Sequence, residues 1–441
     1  MATRQKAHPG TAAGRQQPVG PSGVQRPNPV LSAVEGGERI IEMTPTAGPP
    51  TAGPSLMKSE PVRRPLDGLV GQLLAPLLQP RTPTAGVTVL SWDVEQGICL
   101  YVKFEGRVLL IEIEPRNDEQ PCFDRSVRFN ICARINFQEN GALTGREARF
   151  VAAVVRMIRN REHLLPLVDR PTTARQTAVR EILVDRVLFQ EGDGHYYLNP
   201  YVGCMIGCEF CYVAQRADLS WSMEGLPQMP WGRRLDIKVN APEVLARELR
   251  DRPPGVVRMS PILTDPYQPV ERKYRVTRGC LTAMLGSGFV PFILTRAVRA
   301  LDDVELLRQF PQAAVGFSIP TNDDRYRSMI EPGADPVDAR LDALEVFAKA
   351  GIFTVAVIQP MLPMDVDVFV DRLGPFIKAV RIDRMQFPER IRHLYRRHGI
   401  EYALDDVWAT DMQERLAERF RQHGVCVDEL DNLVAFMQRA S

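Results

Sequence analysis

The chain has no apolar run long enough to span a bilayer, and its first residues carry no apolar core of the secretory kind. The expectation is a cytoplasmic protein with no membrane partner. A charge surplus is also missing. The 55 Lys and Arg stand against 54 Asp and Glu, which excludes a general polyanion binder and leaves room only for local basic patches. Cysteine is sparse, with eight in 441 residues. Five of them (Cys99, Cys122, Cys132, Cys280, Cys426) are scattered without pattern. That excludes a disulfide framework and fits a reducing compartment. Scattered cysteines of this kind act as small buried hydrophobes.

The other three cysteines are crowded together. Cys204, Cys208 and Cys211 stand at C-x3-C-x2-C spacing, between Tyr201 and Tyr212. Asn199-Pro200 ahead of them and two glycines among them let the backbone curl and turn the sulfurs to one point. Thiolates gathered so tightly call for a soft metal or an iron–sulfur cluster. A cubane cluster takes four ligands and the loop supplies three, so one iron would stay open. A structural zinc completed by His195 is the competing reading. It lacks the second C-x2-C pair of a zinc ribbon.

The loop resembles that of the radical S-adenosylmethionine (SAM) enzymes, with the aromatic Tyr212 directly after the last cysteine. Its approach, Asn199–Cys204, is similar to that of spore photoproduct lyase and its relatives. The resemblance implies one [4Fe–4S] cluster whose open iron chelates the amino and carboxylate groups of SAM. It also implies transfer of one electron to the sulfonium, giving methionine and a 5'-deoxyadenosyl radical that abstracts hydrogen from a substrate. An electron donor such as a flavodoxin or ferredoxin follows as a partner.

Ahead of that loop, residues 1–65 are rich in Pro, Gly, Ala and Thr, and Pro-Thr-Ala-Gly recurs. Such a segment buries too little surface to offset its ordering entropy and reads as a disordered tail. Leu69–Leu78 reads as a short helix. From Val87 the texture becomes β-branched and aromatic, with strands expected at Val87–Trp92, Ile98–Phe104, Arg107–Ile113 and about Ser126–Phe137. A helix at Gly145–Arg159 completes a small α+β domain over 87–165. Residues 166–190 read as a polar connector with a helix at Ala174–Ile182. The whole segment 66–190 is thus an accessory domain and its connector.

Residues 191–390 alternate strands and helices. The strands are Tyr196–Asn199, Val256–Ser260, Pro291–Thr295, Ala314–Ser318, Phe353–Ile358 and Ala379–Met385, and the helices include Pro242–Asp251, Thr277–Leu285, Asp302–Gln309 and Val337–Ala350. This pattern predicts an α/β fold with a parallel sheet and outer helices. The number of units matches the partial (β/α)6 barrel that the resemblance implies. Ligands of such sheets sit at the carboxyl ends of the strands. Residues 391–441 read as a helical extension, with helices at Asp411–Gln422 and Asp428–Gln438. The basic run Arg390–His398 reads as a solvated helix face.

Motifs fall at the strand ends. The second strand leads to Thr264-Asp265-Pro266-Tyr267-Gln268-Pro269 and Glu271, similar to the subfamily signature T-D-P-Y-Q-P-x-E. A hydroxyl and a carboxylate there suit an ammonium group, and the resemblance places the SAM amino group beside them. It places the SAM carboxylate near Thr295-Arg296, where the family commonly has Thr-Lys. Arg keeps the cation but not its geometry. Ser318 is expected against the ribose or carboxylate, and Pro360 against the adenine. The pair Glu331 and Arg340 matches the subfamily's E-P…R pattern and reads either as a substrate-positioning pair or as a structural one. Tyr212 completes the expected SAM contacts. No residue reads as a catalytic acid, base or hydrogen donor.

One departure bears on the reaction. Spore photoproduct lyase carries a cysteine at the position of Ile262, and that thiol returns hydrogen to the product radical. Its absence argues against thymine-dimer reversal. The leading expectation is a radical SAM lyase or another radical-based enzyme acting on a peptide or small metabolite. A nucleic-acid repair enzyme and a non-catalytic iron–sulfur or zinc module are the alternatives.

Overall fold

The computed structural model describes residues 61–427, apart from 79–86, 95–97, 105–106, 116–128, 136–142, 166–176, 193, 260–262 and 387. The expected tail over 1–60, Ile262 and the helix expected at Asp428–Gln438 lie outside the described residues. All described residues fall in one unit, Leu56–Ser441.

Six parallel strands form the central sheet: β1 (His195–Leu198), β2 (Val256–Met259), β3 (Val290–Thr295), β4 (Ala314–Ser318), β5 (Phe353–Ile358) and β6 (Ala379–Ile382). They lie side by side in chain order. An antiparallel strand, Leu188–Gly192, pairs with β1 at one edge, and Cys426–Val427 adds in parallel to β6 at the other. The two edges do not pair among the described residues, so the barrel is open.

The strands are rich in Val, Ile, Phe and Ala and buried on both faces, as a parallel sheet covered by helices requires. Successive residues point to opposite sides. Val257, Ile293, Val315, Ala356 and Val380 join the main core, whereas Val256, Phe292, Ala314, Val355 and Ala379 form a separate cluster. The helices between strands include α1 (Val213–Met223), α2 (Ala241–Glu248), α3 (Val276–Met284) and α4 (Val337–Lys349). The helix expected at Asp302–Gln309 is instead a 3-10 turn, Val298–Asp303, followed by a short helix, Val304–Leu307.

A second sheet was not expected. It runs in the order Val62–Arg63, Ala178–Leu183, Arg234–Lys238, Tyr201–Val202. The helix expected at Ala174–Ile182 is therefore a strand from Ala178 onward. Its backbone pairs along its length with Arg234–Lys238, and partner strands override a weak local propensity. Val62–Arg63, assigned to the tail, pairs with Ile182 and Leu183 for the same reason.

The accessory strands form an antiparallel meander, Val87–Asp93, Ile98–Phe104, Arg107–Pro115 and Phe129–Ile135. Helices Leu66–Leu78 and Gly145–Arg161 cover one face of it. Leu219 and Met223 of α1 enter that same core. The helix that follows the cysteine loop thus ties the accessory sheet to the barrel.

Candidate functional site

The cysteine loop lies between the lead-in strand Tyr201–Val202 and α1. Gly203 has φ 91, and a Cβ there would lie 2.4 Å from the Arg234 carbonyl oxygen. Only glycine allows that approach. Cys204 and Cys208 are buried and Cys211 is half-buried, and all three are free thiols. They line one recess together with Thr264, Asp265, Arg296 and Trp231. Thr264 and Asp265 follow β2 and Arg296 follows β3, so the recess sits at the carboxyl ends of the strands.

The T-D-P-Y-Q-P-x-E stretch is the scaffold of this recess. Thr264 Oγ1 donates to the Gly203 carbonyl at 2.6 Å. Gln268 Oε1 accepts from the Met205 N–H at 2.8 Å, and its Nε2 donates to Thr264 Oγ1 at 2.5 Å. These bonds hold the cysteine loop. Asp265 holds the end of β3: Oδ1 accepts from Thr295 Oγ1 at 2.6 Å and from the Tyr267 N–H at 2.9 Å, while Oδ2 accepts from the Arg296 N–H at 2.8 Å. Tyr267 donates its hydroxyl to Asp303 at 2.8 Å. Glu271 accepts from the Thr277 and Arg278 N–H groups, both at 3.1 Å, at the start of α3, and also from the Tyr201 hydroxyl.

Arg296 was expected to meet the SAM carboxylate. Its Nε donates to Glu331 Oε1 at 2.6 Å. Glu331 Oε2 accepts from Arg340 Nη1 at 2.9 Å, and that same nitrogen donates to the Ser318 carbonyl at 2.6 Å. The Glu331 and Arg340 side chains are 0% exposed and pair with each other. Two guanidinium groups share one carboxylate, leaving a positive charge beside the thiols. The segment carrying Glu331 is also bonded to the loop: the Glu209 N–H donates to Ile330 O at 2.9 Å and the Gly333 N–H to Ile206 O at 3.0 Å.

Electrostatics follow this geometry. Burial, then Asp265 and Cys211, pushes the Cys204 thiol up to about 12. Burial likewise raises Cys208 and Cys211, while Arg296 pulls both down. The Cys211 thiol also meets the backbone N–H groups of Val213 and Ala214 at the start of α1, which favour its thiolate. Burial raises Asp265 despite its donors. Burial opposes the Arg296 charge, but Glu331 and Cys208 outweigh it and the pKa rises. Buried thiols that resist ionisation need a cationic group to become ligands, and three soft donors on one recess fit an iron–sulfur cluster. No group of three or more His, Cys, Asp or Glu side chains among the described residues is set for a single metal ion.

Of the expected SAM contacts, Thr264, Asp265 and Arg296 line the recess with the cysteines. Thr295 is buried behind Asp265, and Ser318 is buried with its carbonyl on Arg340. Tyr212 caps the start of α1 with Arg216 over its ring, and Pro360 is buried after a cis peptide bond. None of these four lines the recess. Trp231, which does, carries no motif that sequence reading could have found.

Residues 198–370 match the model of the Radical SAM superfamily. The matched segment covers the cysteine loop and the strands β2 to β5. An uncharacterized protein of Methanocaldococcus jannaschii is 26% identical over 248 residues, which are 53% of this chain and 90% of the relative. A radical SAM Nalpha-GlyT isomerase of Pseudomonas phage M6 is 24% identical over 330 residues, 64% of this chain and 65% of the phage protein. A solved structure of spore photoproduct lyase complexed with dinucleoside spore photoproduct is 15% identical, with a TM-score of 0.41 over 56% of this chain and 81% of that one. No described helix of the chain is long and apolar enough to cross a membrane.

Proposed function

We propose that this radical SAM protein cleaves SAM reductively at one [4Fe–4S] cluster held by Cys204, Cys208 and Cys211, and takes a hydrogen atom from a peptide or small metabolite. The observation that carries this reading is the meeting of three free thiols with Thr264, Asp265 and Arg296 in one recess at the strand ends. When bound, the cluster supplies the electron that breaks a sulfonium carbon–sulfur bond. The chain does the rest. Thr264 and Gln268 keep the thiols in place. Asp265 offers its carboxylate to the SAM ammonium, and the positive charge of the Arg296–Glu331–Arg340 group draws the SAM carboxylate. Tyr212, Thr295, Ser318 and Pro360 frame the nucleoside. A cytoplasmic flavodoxin or ferredoxin would reduce the cluster.

Near-neutral charge and the isoleucine at position 262 support a substrate other than duplex DNA. The test is anaerobic loading with iron and sulfide, then SAM and dithionite, with metal, sulfide and 5'-deoxyadenosine measured. Wild type should hold iron and sulfide and release 5'-deoxyadenosine. Cys208→Ala should lose the cluster absorbance and the nucleoside together. Wild type holding zinc without iron, or Cys208→Ala cleaving SAM at the wild-type rate, would overturn the reading.

A further inference from the structure

A tryptophan whose indole N–H has no partner lines the cysteine recess. Trp231 lines the recess with Cys204, Cys208 and Cys211, and its Nε1 is shielded from solvent with no acceptor among the described residues. Indole nitrogen can only donate. A buried donor without an acceptor costs about 1–3 kcal/mol, so such a group calls for an acceptor that arrives with a ligand.

The position of the ring is well held. Trp231 packs on the Val213–Leu263 core on one side and on the cluster of Cys204, Ile206 and Cys208 on the other. The next residue, Gly232, has φ 83, and a Cβ there would lie 3.3 Å from Gly207 Cα. The backbone beside Trp231 therefore runs directly against the cysteine loop. The other polar groups of the recess lie elsewhere: the Asp265 oxygens take Thr295, Tyr267 and Arg296, the Thr264 hydroxyl sits between Gln268 and Gly203, and none of them is within hydrogen-bond reach of the indole N–H. The three cysteines line the same recess, so a group held by them would bring sulfur as an acceptor to this wall.

We propose that Trp231 is a positioning residue for the cluster, its indole N–H donating to a sulfur of the group held by the three cysteines while its ring screens that side from water. The inference rests on the proposed [4Fe–4S] site. Hydrogen bonds to sulfur favour the reduced, more negative cluster and raise its reduction potential. Trp231→Phe removes the donor and keeps an apolar ring, which isolates the hydrogen bond from the screening.

The experiment is an anaerobic redox titration of the loaded full-length protein, followed by electron paramagnetic resonance, for wild type, Trp231→Phe and Trp231→His. Trp231→Phe should load the same iron and sulfide as wild type, with its midpoint shifted to more negative potential. Trp231→His, which keeps a ring N–H, should move back toward wild type. A fully loaded Trp231→Phe with an unchanged or more positive midpoint would overturn the proposal while leaving the cluster site standing. If Trp231→Phe loads poorly, Trp231→His loading with a wild-type midpoint supports the proposal, and failure of both variants to load overturns it. Wild type without iron and sulfide would instead bring down the cluster reading itself.

Discussion

Arg296 donates to Glu331 across 2.6 Å of buried space beside the cysteine recess, and neither side chain is more than 10% exposed. The pair joins the end of β3 to the segment that packs on the cysteine loop. Buried charge of this kind is costly to leave unpaired, so the arrangement of the recess depends on it.

Removal of the shared carboxylate should therefore be severe. Glu331→Gln strands two buried guanidinium groups and should cost about 3–5 kcal/mol of stability. Arg296→Ala leaves Glu331 with Arg340, should cost less, and should weaken SAM binding in the loaded protein. Urea unfolding and SAM titration of the two variants check this. Glu331→Gln as stable as wild type would show that the pair carries no structural weight.

Gln268 should matter to the loop more than its place in a motif indicates. Its amide accepts from Met205 and donates to Thr264. Gln268→Ala leaves a buried N–H without an acceptor, at a cost of about 1–3 kcal/mol, and should reduce iron retained per chain. Gln268→Glu keeps the acceptor and should fall between. Iron content after desalting, beside unfolding curves, gives the answer; wild-type retention in Gln268→Ala would remove Gln268 from the scaffold.

Asp218, on α1, provides a pH test. Burial raises its carboxyl to about 6, against a smaller opposing pull from Arg234. An unfolded aspartate titrates near about 4. A raised folded pKa gives stability that is complete below the unfolded value and lost as pH rises through the folded one. Asp218→Asn should thus gain on wild type between pH of about 4 and 7, by on the order of 1–2 kcal/mol. Urea midpoints at the two ends of that window decide it, and a difference that does not change with pH would refute the assignment.

Local sequence carried the barrel and its cysteines. The strands β3, β4 and β5 are runs of β-branched and aromatic residues between helical stretches, and alternation by itself demands a parallel sheet. The spacing of Cys204, Cys208 and Cys211 needed no third dimension, because a loop that short keeps its sulfurs together. The motif T-D-P-Y-Q-P-x-E was legible as a site. Its division of labour was not, since Thr264 and Gln268 act on backbone groups of Gly203 and Met205, and Glu271 on the Tyr201 hydroxyl, about 60 to 70 positions away.

Tertiary structure decided the rest. Ala178–Leu183 has only modest strand character and became a strand because Arg234–Lys238 lies beside it. Sequence names the cation Arg296 at a strand end, and only folding brings Glu331 to it from 35 residues on. Trp231 belongs to no periodicity or motif and enters the recess because Gly232 lets its backbone press against Gly207. Short-range spacing sets which ligands stand together. Which of them remain free to bind depends on partners distant in the chain, and only the packed fold supplies those.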